Sequence, residues 1–449
     1  MGNFLNEYFR LPESLLGSWS HGELGVEKRF FRFGPDTVCY GQCQQGISHV
    51  NGNEELYDAT EHVAVDRDCI YLPFDPGAVV DNLRLERYRE SLPAVIEGGV
   101  VKRPIISKGY YAVRELLPVS VRRHLQKIYF RDWKRIPFPK WPVDCTVDSL
   151  HWELLRLLMK AKGINRLPFI WFWPEGAPSC LIMTHDVETT SGVRFSPQLM
   201  DIDEAHGLKA SFQVVPEDRY EFSDDFVRCI RDRGFEFNIH DLNHDGQLFK
   251  EHKEFLRRVA RINEYAERYG ARGFRSGAMY RNQDWFQAFA FSYDLSVPTV
   301  AHLEPMRGGC CTVMPYFVGK ILELPLTTSQ DYTVLHILDD PSIDLWRRQI
   351  DLIRQRNGLI SFISHPDYLI EKRSRNVYVE LLQYLKQLVD RESIWTPLPG
   401  ALDEWWRARS KMQLVPQGTE WKIEGPQSER ARIAFAELKD DHLAWNIPA

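Results

Sequence analysis

The sequence predicts an α/β protein with a mainly parallel central sheet, an N-terminal α+β region and a small C-terminal β appendage. The main observation is an alternation of short apolar runs with amphipathic helical stretches from about residue 178 to about residue 395, the pattern of strands joined by crossover helices. The second is that the segments on either side lack this alternation and hold only short strand-like runs. A barrel and an open doubly wound sheet both fit the pattern.

The chain is predicted to divide into four segments: 1–110, an N-terminal region of unknown role; 111–177, a linker and helix; 178–408, the α/β region; and 409–449, the β appendage. Three prolines between Ile136 and Pro142 exclude a helix there and predict an extended linker. A helix is expected over Val147–Lys162, closed by Gly163. The appendage is expected to contain two strands, over 421–425 and 431–436.

Strands and helices of the α/β region follow from two periodicities. Apolar runs predict the strands Cys180–Thr184, Ala210–Val215, Phe235–Ile239, Gly273–Arg275, Ile321–Leu324 and Leu359–Ile363. Apolar residues at steps of three and four predict helices over Glu251–Tyr269, from Ser342 to Asn357, and over Asn376–Asp390. Gly270 and Gly358 supply the stops of the first two.

Composition excludes several classes of function. The net charge of −6 argues against a dedicated nucleic-acid binder, whose phosphate affinity needs clustered Lys and Arg. No apolar stretch approaches the roughly 20 residues that span a bilayer, and the first residues do not read as a secretory signal. The eight cysteines are scattered, which predicts reduced thiols in a cytoplasmic protein. A glycine-rich dinucleotide or phosphate loop is also missing from the sequence.

Acidic and histidine side chains follow three of the predicted strands. His240 and His244, four residues apart at the end of one strand, have a spacing that can bring two imidazoles to one metal ion. Asp186 and Glu188 are two apart and would point the same way on extended backbone, so that one could bind a metal while the other accepts a proton from water. His365 follows a third strand. Because catalytic groups gather at the carboxyl ends of parallel strands, the three features support one another.

The order and spacing of these segments resemble the NodB-type polysaccharide deacetylases, carbohydrate esterase family 4. The resemblance covers about half of the chain, residues 178–395. The segments that carry it are Thr184-His-Asp-Val-Glu188, Gly207-Leu-Lys-Ala-Ser-Phe-Gln-Val-Val215, His240-Asp-Leu-Asn-His244, Gly273-Phe-Arg-Ser-Gly277 and Ile360-Ser-Phe-Ile-Ser-His365.

The resemblance implies a fold and a set of roles. The fold would be a distorted (β/α)₇ barrel of the polysaccharide deacetylase type, with a divalent metal that is usually zinc. His240 and His244 would be metal ligands, and Asp186 the catalytic base. His365 would be the general acid that protonates the leaving amine, and Arg275 would orient the base.

The chain departs from the family pattern at three places. Val187 occupies the position of the family's metal-binding Asp, so Glu188 is expected to reach the metal instead. The alternative is that Asp186 is itself the ligand, with Glu188 or His185 assisting. Asp241 replaces a Ser or Thr of the second motif, and the third motif lacks its Pro and aromatic residue at 276–278.

The resemblance implies a zinc-dependent hydrolase that removes N-acetyl groups from an amino-sugar-containing glycan or glycan precursor. Two alternatives stay open: an amidohydrolase for a small non-sugar amide, and an inactive barrel that serves as a binding or scaffold protein in glycan assembly. Several tryptophans could stack on sugar rings, although a place in the core is the simpler interpretation: Trp171, Trp173, Trp285, Trp405 and Trp406.

Overall fold

A computed structural model describes residues 4–35, 37–44, 47–50, 53–66, 69–91, 130 and 133–448. Its α-helices, in chain order, are α1 (Phe4–Phe9), α2 (Pro76–Arg84), α3 (Thr146–Ala161), α4 (Thr190–Ala205), α5 (Asp224–Asp232), α6 (His252–Tyr269), α7 (Asp344–Arg354), α8 (Lys372–Glu392) and α9 (Pro399–Ser410). Its strands are β1 (Ser18–His21), β2 (Lys28–Arg32), β3 (Val38–Gln42), β4 (Ile47–Val50), β5 (Asn53–Leu56), β6 (Ala64–Asp66), β7 (Cys69–Leu72), β8 (Arg166–Ile170), β9 (Cys180–Val187), β10 (Ala210–Val214), β11 (Glu236–His240), β12 (Gly273–Arg275), β13 (Tyr293–Asp294), β14 (Tyr316–Val318), β15 (Ile321–Glu323), β16 (Leu359–Ser364), β17 (Gln413–Gln417), β18 (Glu420–Glu424), β19 (Ile433–Lys439) and β20 (His442–Asn446).

The central sheet has eight strands in the order β14-β15-β13-β12-β11-β10-β9-β16. Every neighbouring pair is parallel except β14 and β15. Helices α4, α5, α6 and α7 connect successive strands, as crossovers between parallel strands require. The predicted α/β class with a mainly parallel sheet is therefore confirmed, and all six strands predicted within it are present.

Side chains close the curled sheet where strand pairing does not. The hydroxyl of Thr327 donates to the carbonyl oxygen of Leu359 at 2.8 Å and accepts the amide N–H of Ser361 at 3.0 Å. The hydroxyl of Thr328 donates to the Ser361 carbonyl oxygen at 2.8 Å. These bonds join the segment after β15 to the outer edge of β16, which we call the seam. The sheet is thus a distorted barrel that is closed by hydroxyl groups at one line.

The two faces of the barrel strands differ in polarity. On β11, Phe237 and Ile239 pack with helix residues in an apolar layer outside the barrel. Asn238 points inward, where its amide nitrogen donates to Ser211 Oγ at 2.6 Å and to the Tyr293 hydroxyl at 2.7 Å. This is the alternation expected of a strand whose two faces meet different surroundings. The barrel interior is polar, and its functional groups emerge at the carboxyl ends of the strands.

The regions flanking the barrel pack on each other. Strand β19 pairs antiparallel with β8, which precedes the barrel, and with β20, while β17 and β18 form a separate hairpin. The C-terminal segment therefore holds four strands where two were expected. Helix α3 was correctly predicted to within one residue at each end. The N-terminal residues add a three-stranded sheet, β1-β7-β6, and the hairpin β2-β3.

Among the described residues, no helix combines the length and apolarity that crossing a membrane demands.

Candidate metal and catalytic site

Three neighbouring parts of the barrel rim bring the predicted residues together. Strand β9 ends at Val187 and delivers Asp186 and Glu188, β11 ends at His240, and β16 is followed directly by His365. All three strands run parallel in one sheet, so their carboxyl ends share one edge. The structure thus places the sequence-predicted groups in one buried cluster.

Glu188, His240 and His244 form a group that could hold a metal ion. Their ligand atoms all lie within 4.8 Å of one another. Glu188 Oε1 is 2.9 Å from His244 Nε2 and 3.6 Å from His240 Nε2. Both nitrogens are buried, and neither meets hydrogen-bond geometry with any described residue. Such orphaned nitrogens beside a carboxylate are what a metal ligand set requires.

A hydrogen bond at Nδ1 of His240 leaves its other ring nitrogen, Nε2, available for metal binding. Its Nδ1 lies 3.1 Å from the carbonyl oxygen of Arg275, which can only accept a hydrogen bond. Nδ1 therefore carries the proton and the lone pair of Nε2 faces the cluster, an arrangement common among metal-binding histidines. The two histidines and Glu188 match the nitrogen and oxygen donors of divalent zinc.

The turn that presents His244 is held by Asp241. Both residues have positive φ, 57° and 54°. The Asp241 carboxylate accepts the amide of Leu242 at 2.7 Å and the amide of Gly277 at 3.2 Å. A Cβ at Gly277 would collide with that carboxylate and lie 3.0 Å from His244 Cδ2, so only glycine allows this approach. Asp241 thus fixes the second and third motifs against each other.

Asp186 is held by Arg275 rather than by the histidines. Its Oδ1 is 2.6 Å from Arg275 Nη1, and its Oδ2 is 3.8 Å from His240 Nε2. The fully buried arginine also donates to Thr184 Oγ1 at 2.8 Å and to the Leu295 carbonyl oxygen at 3.0 Å. Burial by itself would raise the pKa of Asp186, but Arg275, His240 and His365 together hold it below the usual value. Asp186 is therefore an ionised, oriented carboxylate.

Glu188 is likewise ionised. Burial would raise its pKa, yet the neighbouring imidazoles of His244, His240 and His365 lower it well below the usual value.

His365 faces the same cluster from the other side. Its Nδ1 is 2.7 Å from Asp331 Oδ1, its main-chain amide donates to Asp331 Oδ2 at 2.7 Å, and its Nε2 is 3.5 Å from Glu188 Oε1. Burial would lower its pKa, but Asp331 and Glu188 raise it well above the ordinary histidine value. The imidazole therefore holds a proton on the nitrogen that points into the site. Asp331 was not predicted, because it lies in an irregular segment without a periodic pattern.

Comparison with solved structures gives matches to polysaccharide deacetylases. A Mycobacterium smegmatis protein assigned to the polysaccharide deacetylases has 18% identity and a TM-score of 0.43, and the match covers 56% of this chain and 98% of that one. The peptidoglycan deacetylase PdaC from Bacillus subtilis has 13% identity and a TM-score of 0.33, over 50% of this chain and 90% of that one. A pseudoenzyme of carbohydrate esterase family 4 from Bacillus anthracis has 13% identity and a TM-score of 0.32, over 50% and 65%.

The chain is similar to structures of carbohydrate esterase family 4 over about half its length, at low identity. No protein-family model matches the sequence, and no curated protein does. The barrel described above follows from the chain's own strand order, register and seam.

One alternative considered from the sequence does not fit the site. His185, considered as an assisting group, points into the helix layer, where Nε2 contacts Asp203 at 2.8 Å and Nδ1 contacts Ser364 Oγ at 2.9 Å. Its position on β9 explains this, because alternate residues of a strand face opposite sides. The simpler interpretation of the tryptophans is confirmed for three of them, because Trp171, Trp173 and Trp405 are fully buried. The aromatic ring beside His365 is instead Tyr368, at 4.7 Å between ring centres.

Proposed function

We propose that this protein is a metal-dependent hydrolase that removes N-acetyl groups from an amino-sugar-containing glycan or glycan precursor. The observation that carries the proposal is the separation of roles within one buried cluster. His240 and His244 offer unpaired ring nitrogens beside the Glu188 carboxylate, while Asp186 and His365 are each held by a different partner. Metal-dependent hydrolysis of an amide uses this combination of a metal site, a base and an acid. The substrate class rests on the motif resemblance.

The residues supply the proton transfers of such a reaction. Glu188, His240 and His244 would hold a divalent metal, which would supply Lewis-acid activation of water and of the amide carbonyl. Asp186, ionised and oriented by Arg275, accepts the proton of the attacking water.

Collapse of the tetrahedral intermediate requires an acid. His365 carries a proton on Nε2, so it can give that proton to the departing amine nitrogen. Asp331 binds both Nδ1 and the main chain of His365, which fixes the ring and its tautomer. The acid and the base thus stand on different strands, and each has its own buried partner.

The test is acetate release by the purified, zinc-loaded protein from N-acetylglucosamine oligomers, with N-acetylated amino acids as the non-sugar amide. We expect release from the oligomers, and Asp186→Asn should lower turnover by about 10²-fold or more because it removes a general base. Asp201→Asn, an exposed change on α4, is the matched control.

Other outcomes separate the alternatives. Release from the N-acetylated amino acids alone would favour the small-amide alternative. A folded, metal-bound protein that releases no acetate from either substrate would overturn the hydrolase proposal and favour a binding role.

A further inference from the structure

A cavity of about 340 Å³ lies away from the metal cluster. Its walls come from α1, the end of α2, the strand β14 and the last turn of α9. Helix α9 runs beneath the amino ends of the barrel strands: the amide of Gly400 binds Glu236 at the start of β11, and Arg407 donates to the Lys320 carbonyl oxygen just before β15. The cluster with His240 stands at the opposite end of β11. The cavity is therefore a separate site.

The cavity lining carries an excess of positive charge. Three arginines, Arg10, Arg84 and Arg409, line it together with a single carboxylate, that of Glu7. Among the described residues, Glu7 is paired with Arg84 at 3.1 Å, and no carboxylate lies within ion-pair distance of Arg10 or Arg409. A buried guanidinium without a counter-ion is costly, which makes this lining unusual for a merely structural surface.

Arg409 is the clearest case of uncompensated charge. Its side chain is 1% exposed, and its Nε and Nη2 donate only to the main-chain carbonyl oxygens of Trp171, Ile170 and Tyr8. Burial and the nearby charge of Arg10 lower the pKa of Arg409 to about 9. Carbonyl dipoles satisfy part of this guanidinium but leave its net charge unbalanced.

Arg84 provides an independent sign of a missing partner. The residue is 5% exposed, and its Nε is buried without a hydrogen-bond partner among the described residues. Buried donors in native structures are almost always satisfied, so this nitrogen calls for an acceptor. The main chain is fixed, because the Arg84 carbonyl oxygen accepts Gln283 Nε2 at 2.8 Å and the Tyr316 hydroxyl at 3.2 Å.

We propose that this cavity binds a small organic anion through a carboxylate or phosphate group, with Arg10, Arg84 and Arg409 as its donors. Planar guanidinium groups match both kinds of oxyanion, and the charge-assisted bonds they form are strong. Phe317 and Trp406 give the same cavity an apolar wall. The ligand therefore combines an anionic head with an apolar or ring-bearing part.

Calorimetric titration of the full-length protein tests the proposal. The probes are inorganic phosphate and citrate, at constant ionic strength set with potassium chloride. We expect at least one of them to bind. The probe that binds more tightly shows whether the ligand carries a phosphate or a carboxylate group. Arg10→Gln should weaken binding roughly tenfold or more, the loss of one charged hydrogen bond. Glu7→Gln should tighten binding, because it removes the competing carboxylate from Arg84.

The controls make the result decisive. Arg87→Gln changes a neighbouring arginine that pairs with Asp284 outside the cavity lining, and it should leave binding unchanged. The double variant His240→Ala, His244→Ala should bind the anion as the wild type does, which excludes binding at the metal cluster. The proposal is overturned if the wild type binds neither probe, if Arg87→Gln weakens binding as much as Arg10→Gln, or if Glu7→Gln does not tighten it.

Discussion

Glu188 is the residue that distinguishes this cluster from the motif it resembles. Its Oε1 lies 2.9 Å from His244 Nε2, 3.6 Å from His240 Nε2 and 3.5 Å from His365 Nε2. Val187, which stands where the family has an Asp, is fully buried in the apolar layer outside the barrel. The longer glutamate one residue later occupies the inner side. The contacts favour Glu188 over Asp186 as the third ligand, since one Asp186 oxygen is already bound to Arg275.

Metal content should follow this division of roles. Purified wild-type protein is expected to hold about one divalent ion per chain, the number that one such ligand set accommodates. Glu188→Gln and the double variant His240→Ala, His244→Ala should lose most of it in elemental analysis after dialysis. Asp186→Asn should keep its metal. Loss of metal from Asp186→Asn with full retention in Glu188→Gln would reverse the assignment.

The surface histidines His252 and His442 give a matched control for the double variant. Both are exposed and outside the cluster. Replacing both with alanine removes the same number of imidazoles and should leave the metal content unchanged.

The acid role proposed for His365 should depend on Asp331, which binds its ring and its main-chain amide. Because Asp331 raises the pKa of His365, Asp331→Asn should lower that pKa and move the alkaline limb of the pH–rate profile to lower pH. A general acid must be protonated to act, so activity is lost once pH rises above its pKa. His365→Ala should lower turnover without loss of metal. A purely structural role for His365 would instead lower the melting temperature while turnover per folded molecule stayed normal.

Part of the candidate site could be predicted from the sequence. Asp186, His240, His244 and His365 could be found because each follows an apolar run whose end is visible in the chain. Asp331 could not be found, because nothing in its local sequence shows that the segment after β15 lies against β16. That proximity is a product of barrel closure, which brings together strands distant in sequence.

Helix α4 is tied to strand β9 and to helix α8 by one buried carboxylate. Its Asp203 accepts from Tyr378 on α8 at 2.6 Å and contacts His185 on β9 at 2.8 Å. These groups are buried, so the carboxylate fixes two helices and a strand in one place. Periodicity predicted α6, α7 and α8 of this layer, whereas α4 and α5 were not predicted. The short strands β13 and β14 were not predicted.

Removing the Asp203 carboxylate should destabilise the layer. Asp203→Ala leaves the buried His185 and Tyr378 without their partner, which is expected to cost about 3 kcal/mol of unfolding free energy in urea. Asp201→Ala, an exposed change on the same helix, should cost well under 1 kcal/mol. Metal content per folded molecule should stay normal in both. Equal, small losses would show that the buried contact contributes nothing to stability.

At the scale of the whole molecule, the two ends of the chain meet beneath the barrel. Arg409 near the C-terminus donates to the Tyr8 carbonyl oxygen at 3.0 Å, and the Tyr8 ring stacks on His151 of α3 at 4.3 Å between ring centres. The division into four segments stays a prediction, but contacts cross all three boundaries between them. Sequence reasoning could not foresee them, because the pairing of β8 with β19 joins positions more than half the chain apart.

This junction should make stability depend on pH. Burial lowers the pKa of His151 to about 3, whereas an unfolded histidine titrates near 6.5. The folded state keeps the ring neutral, so stability is present above about pH 6.5 and declines as pH falls towards 3. Between pH 7.5 and pH 5 this one group should cost about 2 kcal/mol of unfolding free energy.

His151→Phe keeps a ring against Tyr8 but cannot titrate. The difference in unfolding free energy between pH 7.5 and pH 5 should therefore be smaller in this variant than in the wild type. His442→Phe, at an exposed position, should leave the difference unchanged. An identical pH dependence in His151→Phe would show that the histidine does not govern acid sensitivity.

The seam also sets the order in which parts of the site can come apart. Strands β9 and β11 are each hydrogen-bonded to a neighbouring strand on both edges. The outer edge of β16 is instead held by the hydroxyls of Thr327 and Thr328 and by a hydrogen bond from the Leu359 amide to the Val313 carbonyl oxygen. Local openings draw on the least cooperative part of a structure, so amide deuterium exchange should begin at this edge. His365, the proposed proton donor, directly follows β16, while His240 lies on β11, which is hydrogen-bonded to a neighbouring strand on both edges. A brief opening of β16 would therefore move the proposed acid away and leave the proposed metal ligands in place.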